Sequence, residues 1–240
     1  MSILRAVSAT LLVASIAGAA HADLSFSFAD PINGRQVTHT ANNIAGPGTG
    51  QLTYDKSAVL RFLVDGSSEP NSFSALFTNA RMEMNLILGQ ATPIGGGNFV
   101  APLRGFFRIY DANNENVDIL RADASGGSFV RFSGTNSFLF SDLDGLGYTL
   151  GSPLQALLLP GRTIASPDLV NGVAAQEGSF SLTDILTGGQ PPAALVNGQG
   201  IFANFQANAS FSGNVKLVPT PGAAALMGLG GLVAMRRRRA

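Results

Sequence analysis

Apolar and polar residues alternate at a period of two along much of this chain: in Leu24, Phe26, Phe28, in Leu60, Phe62, Val64, and in Met82, Met84, Leu86, Leu88. Successive side chains of a strand point to opposite faces, so each run reads as a β-strand with one buried face. A helix would bring its apolar positions back every three or four residues. Phe106 to Tyr110 and Val117 to Leu120 flank the polar stretch Asp111 to Asn116, the pattern of a hairpin. Phe129 to Phe132, Phe138 to Phe140, Phe180 to Leu182 and the run Phe202 to Val218 extend the series. Roughly nine to twelve strands follow, enough for two packed sheets.

Glycine and proline mark the expected joints at Gly46 to Gly50, Gly95 to Gly97, Gly126-Gly127 and Gly188 to Pro192, none of them long enough to separate domains. Pro153 to Leu159 and Leu169 to Ala175 hold apolar residues without alternation and read as short helical turns. The expectation is an all-β fold, an antiparallel β-sandwich with a jelly roll as one available topology and one or two short helices. There are no cysteines, so no disulfide, thiolate metal site or thiol nucleophile exists, and folding rests on the core alone.

The two ends differ from the middle. Met1 to Arg5 is a short basic start, Thr10 to Ala20 is almost wholly apolar, and Ala20-His21-Ala22 presents small residues where a signal peptidase cuts. Cleavage between Ala22 and Asp23 is expected, which makes residues 1–22 a signal peptide. At the other end Val218-Pro219-Thr220-Pro221 precedes fourteen uncharged residues, Gly222 to Met235, and then Arg236, Arg237, Arg238 and Arg239. The prolines should end the last strand, the apolar segment can enter a bilayer as a helix, and the guanidiniums stay on the cytoplasmic side. Fourteen residues rise only ~21 Å as a helix against a hydrocarbon core of ~30 Å, which suits temporary arrest better than permanent spanning.

That tail resembles the PEP-CTERM sorting signal of exported proteins in Gram-negative-type bacteria that make extracellular polysaccharide. The resemblance covers about 23 residues, with Thr220 standing where the usual motif has Glu. It implies an exosortase-type transpeptidase as processing partner, transient anchoring in the inner membrane through residues 218–240, and a final place at the cell surface or in the extracellular matrix. The same tail is also labelled an ice-binding protein C-terminal motif; that label describes the tail, and the sparse, unspaced Thr of the middle gives no regular ice-facing ranks. The remaining residues 23–217 form one domain, flanked by terminal helices for the signal peptide and the sorting tail.

Charge and residue types then limit what that domain can do. Residues 23–220 carry ten Lys plus Arg against fifteen Asp plus Glu, so the body is acidic and has no basic stripe for nucleic acid. Beyond His21, His39 is the one histidine, which excludes multi-histidine metal sites within one chain. It sits among Thr38, Thr40 and Asn42 without a Gly-x-Ser-x-Gly elbow, and reads as an exposed or hydrogen-bonded loop residue rather than a catalytic one. Asp111, Asn113, Glu115 and Asp118 loosely imitate a calcium loop, but Asn116 and Ala122 stand where Gly and Glu are needed, and a solvated turn explains them better. Asp142 and Asp144 before Gly145 form a calcium candidate.

The reading is therefore a non-enzymatic exported surface or matrix protein without a cofactor. Two others stand beside it: a carbohydrate-binding module at an exopolysaccharide layer, calcium-assisted through Asp142 and Asp144, and a hydrolase using a carboxylate pair. No tryptophan and only Tyr54, Tyr110 and Tyr148 are present as sugar platforms, and the phenylalanines alternate as core residues do.

Overall fold

The alternating runs become strands whose two faces separate by burial. In β1 (Ala22–Ala29) Leu24, Phe26 and Phe28 are buried while Asp23 and Ser25 are exposed, and β4 (Val59–Gly66) alternates without a break. The computed structural model describes residues 22–29, 34–42, 48–132, 138–142, 146–166, 169–170, 173–190 and 195–220. The two terminal helices expected for the signal peptide and the sorting tail lie outside these residues.

Four long strands carry the architecture: β5 (Phe73–Leu88), β7 (Asn98–Asp111), β8 (Asn114–Arg131) and β15 (Phe205–Pro219). With β1, β4, β9 (Phe138–Asp142) and β14 (Gln176–Leu186) they form a hydrogen-bonded circuit, β15-β1-β4-β5-β7-β8-β9-β14 and back to β15. At one level of the wall between β15 and β5, β2 (Val37–Ala41) and β3 (Gly50–Tyr54) take the places that β1 and β4 hold at the other. The result is an antiparallel, sandwich-like sheet closed on itself, which removes most of the exposed strand edge. Short strands fill its margins: β6 (Thr92–Gly95) on β7, β10 (Leu146–Leu150) on β8, and β11 (Arg162–Ile164) on β15.

One rank of the circuit organises the core. Phe28, Phe211, Phe180, Phe140 and Phe129 are successive cross-strand partners on β1, β15, β14, β9 and β8. Phe180 and Phe211 lie 4.8 Å apart by ring centroid, and Phe107 of β7 meets both edge-on at 5.0 and 5.1 Å across the interior. The neighbouring rank is all serine: Ser27, Ser212, Ser179, Ser141 and Ser128 are partners on the same five strands, and Ser27, Ser212, Ser179 and Ser128 lie outside the core. A period of two leaves no other outcome once the phenylalanines are in register.

Two expectations need correcting. Leu169 to Ala175 is a two-stranded ribbon, β12 (Leu169–Val170) with β13 (Val173–Ala174), and not a helical turn. Its β-branched valines and the intervening Asn171-Gly172, a preferred hairpin dipeptide, are the signal that outweighs the missing alternation. Gly126-Gly127 is no joint but lies inside β8, close to a register shift between β7 and β8, where glycine lets a long strand bend. The last strand ends at the prolines as expected, with β15 running through Val218 to Pro219 opposite Thr163 and Arg162. Thr220 N–H donates to Gly161 O and Ala165 N–H to Lys216 O, so alternate residues bond across this pair. Pro219 falls on a position whose N–H would point away from β11, so its missing donor breaks nothing. The other helical expectation holds as α1 (Ser152–Gln155), with Pro153 in its first turn.

Candidate functional site

The residues singled out at the two ends come together. Ala22 opens β1, buried at 2% exposure and opposite Leu217, and Asp23 is opposite Lys216. Asp23 N–H donates to Ser68 Oγ at 2.8 Å, and the Ser68 hydroxyl donates back to Asp23 O at 2.6 Å, which ties the start of β1 to the β4–β5 loop. Val218, Pro219 and Thr220 follow one residue beyond Leu217, bound along their other edge by residues 161–163. The expected signal-peptide junction and the start of the sorting motif thus sit on neighbouring strands at one end of the body. Ala20, Pro221, Asp144 and Arg236 to Arg239 lie outside the described residues.

Arg162 reaches from β11 toward Glu69 of the β4–β5 loop, Nε to Oε2 at 3.7 Å. The Glu69 side chain is wholly buried, and neither carboxylate oxygen has a hydrogen-bond partner. A groove of about 810 Å3 separates β10 from β11 and is lined by Tyr148, Leu150, Gln155, Ile164, Gln176 and Thr220. The Gln176 amide spans it, accepting from Tyr148 N–H at 2.5 Å and donating to Ala165 O at 2.8 Å, as one peptide group of an intervening strand would. No sequence signal announced Gln176, Glu69 or Arg162, since single polar residues carry no period.

On the outer face a second hollow, about 480 Å3, is lined by Ser25, Ser27, Asp65, Glu177, Ser212 and Asn214. Asp65, Ser25, Asn214 and Glu177 are successive partners on β4, β1, β15 and β14. Three strand spacings put the two acids about 14 Å apart along the sheet, wider than the ~5–9.5 Å that glycoside hydrolysis requires. Most remaining acids in the sheet face are engaged. Glu83 takes Lys56 at 2.6 Å and Arg108 at 2.8 Å, Asp118 takes Arg108 at 2.9 Å, and Asp123 takes Arg121 through two bonds of 2.7 and 2.9 Å. The Lys56 hydrogen bond leads in holding the Glu83 carboxyl below its ordinary range, against the opposing effect of burial.

The turn at Asp111 explains itself without a metal. Asp111 Oδ1 accepts from Asn113 N–H at 2.9 Å, and Asn114 Oδ1 from Asn116 N–H at 3.2 Å, which are ordinary turn bonds. Asp142 lies in β9 opposite Gly178, with its side chain outside the described set. Among the described residues no group of three or more His, Asp or Glu could hold a metal ion, and no helix is long and apolar enough to cross a membrane.

His39 departs from its expected loop. It is 1% exposed on β2, turned inward because the buried face of that strand is Val37 and His39. Its ring stacks on Phe205 at 5.0 Å and meets Phe202 edge-on at 6.2 Å. Nδ1–H donates to Ala203 O at 2.8 Å, and Nε2 has no partner. Burial lowers the pKa below 6.5, partly offset by the Ala203 bond. A depressed folded pKa means that the unfolded chain takes the proton first as pH falls. The stabilisation is complete above about pH 6.5 and is lost as pH drops through the folded value. Urea unfolding between pH 7.5 and 5 should show stability falling with acid, by up to about 1.4 kcal/mol per pH unit from this one group. His39→Leu should remove that component of the slope; an unchanged slope would show that the carboxylates carry it all.

No family model matches the chain, and no curated protein or solved structure matches it significantly.

Proposed function

We propose that this chain is an exported, non-enzymatic surface or matrix protein whose sandwich-like body is delivered by its signal peptide and held briefly in the inner membrane by its sorting tail. An exosortase-type enzyme then releases it or joins it to the extracellular layer. One observation carries the reading beyond the end sequences. Ala22 faces Leu217, so the signal-peptide junction and Val218 emerge side by side at the same end of the body. Both address segments can therefore engage one membrane without straining the sheet. A body whose ends left opposite poles would need a long linker to do the same.

Replacing Arg236 to Arg239 with glutamine removes the positive charges that stop translocation. In the exporting host, fractionation should then show loss of the membrane-arrested precursor and an unprocessed tail on the exported side. An unchanged membrane fraction would count against the tail as a stop-transfer device.

The serine-lined hollow favours a second reading, glycan binding. Ser25, Ser27, Ser212 and Asn214 offer hydroxyl and amide groups on one rigid sheet face beside Asp65 and Glu177. The exported protein on a glycan array, with and without a chelator, separates the two readings; no signal in either condition removes the second.

A further inference from the structure

We propose that Gly161–Ala165 is a strap that keeps the sorting motif closed in the folded protein, and that the motif becomes a substrate only when the strap peels from β15. The inference rests on the sorting reading above. An enzyme that cuts or joins a peptide bond needs the segment as a free extended chain, which is why nicking of folded proteins concentrates in loops and locally opened regions. Val218 and Pro219 are not free. They are paired with Thr163 and Arg162, and Thr220 N–H is bound to Gly161 O at 2.7 Å.

The strap is built to open locally. It contributes only a three-residue strand and borders the groove of about 810 Å3, with Ile164 packed against the core and Ala165 buried at its far end. Arg162 faces the buried Glu69 carboxylate at 3.7 Å, Gln176 Nε2 donates to Ala165 O at 2.8 Å, and just upstream Asn71 Nδ2 donates to Leu157 O at 3.1 Å. Among the described residues β1 begins at Ala22, opposite Leu217, so no described residue of β1 lies opposite Val218. Releasing the strap therefore removes the strand pairing that Val218 and Pro219 have among the described residues, while the phenylalanine core stays closed. Glu69 ties this clasp to the β4–β5 loop, whose Ser68 holds the backbone of Asp23. Docking of the cleaved N-terminus and closure of the strap thus share one loop.

The test uses the full chain in its exporting host and exploits the absence of native cysteine. Ile164→Cys with Leu217→Cys places two thiols on directly opposed residues of the β11–β15 pair, outside the motif itself and at a separation a disulfide accepts. When oxidised, this variant should be processed at the motif about tenfold more slowly or not at all, with recovery on reduction. Arg162→Met, which strands the Glu69 carboxylate, should accelerate amide exchange of Val218 and Thr220 by about tenfold or more while Phe211 exchange is unchanged. Processing of the oxidised variant at the wild-type rate overturns the strap. Should the wild-type chain prove not to be processed at the motif at all, the sorting reading fails instead, and exchange alone judges the strap. Exchange slowed by the disulfide and hastened by Arg162→Met upholds it; exchange indifferent to both overturns it.

Discussion

Phe211→Ala will destabilise the folded protein by about 3–5 kcal/mol, and Ser212→Ala, one residue along the same strand, by no more than about 0.5 kcal/mol. Phe211 is 2% exposed and touches three other rings, Phe180 at 4.8 Å, Phe107 at 5.1 Å and Phe28 at 5.8 Å. Those rings stand on β14, β7 and β1, so truncation opens a cavity between parts of the sheet that are held in place by their own ladders. Strands fixed on both edges cannot move inward to fill it, which places the loss in the upper part of the range for large-to-small changes. Ser212 projects outward on the next rank, where its hydroxyl lies 3.3 Å from that of Ser179 at the surface. Urea unfolding at constant m-value measures both variants. Equal effects would contradict the placing of Phe211 on the core face and Ser212 on the outer face of β15.

Gly151→Ala should be worse tolerated than its small size suggests, with a loss of about 3 kcal/mol or more and a population that fails to fold. A Cβ there would lie 1.6 Å from Asp118 O and 2.4 Å from Asp118 C, atoms of a β8 backbone that cannot step aside. Conformation is not the obstacle, since φ −74° and ψ 169° suit any residue. Space is the obstacle. Gly151 N–H donates to Ile119 O at 2.9 Å, and its carbonyl accepts from Leu154 and Gln155 at 3.1 and 3.0 Å, so it joins β8 to the start of α1. Gly126→Ala is the matched control. Nothing lies within 4 Å of its Cβ position, and alanine in a strand interior should be neutral or stabilising by up to about 1 kcal/mol. Thermal unfolding of the pair distinguishes a steric role from a general intolerance of glycine replacement.

Strands were legible wherever burial is one-sided, as in Leu60, Phe62, Val64 and in Met82 to Leu88, because alternation records the environment of each face directly. Closure of the sheet was not legible. Which strand neighbours which depends on contacts distant in sequence, and the serine and phenylalanine ranks become visible only once register aligns five Ser–Phe pairs. His39 was misplaced because its neighbours Thr38 and Thr40 are polar, although they face outward while it faces in. Phe106 is the reverse case, a ring on the outer face beneath Arg121 at 4.4 Å, where the guanidinium rather than the core covers it. At the tail the strand ends at the first proline, as the sequence predicts, but Pro219 itself still sits in the ladder opposite Arg162. A proline's effect depends on which edge its missing donor faces, a fact of register that composition does not carry.

Intact-mass and terminal-peptide mass spectrometry of the protein recovered from its exporting host tests the central claim most directly. The expected species begins at Asp23 and lacks the apolar segment together with the arginine run. A surface-located chain that still ends in Arg239-Ala240 would contradict it.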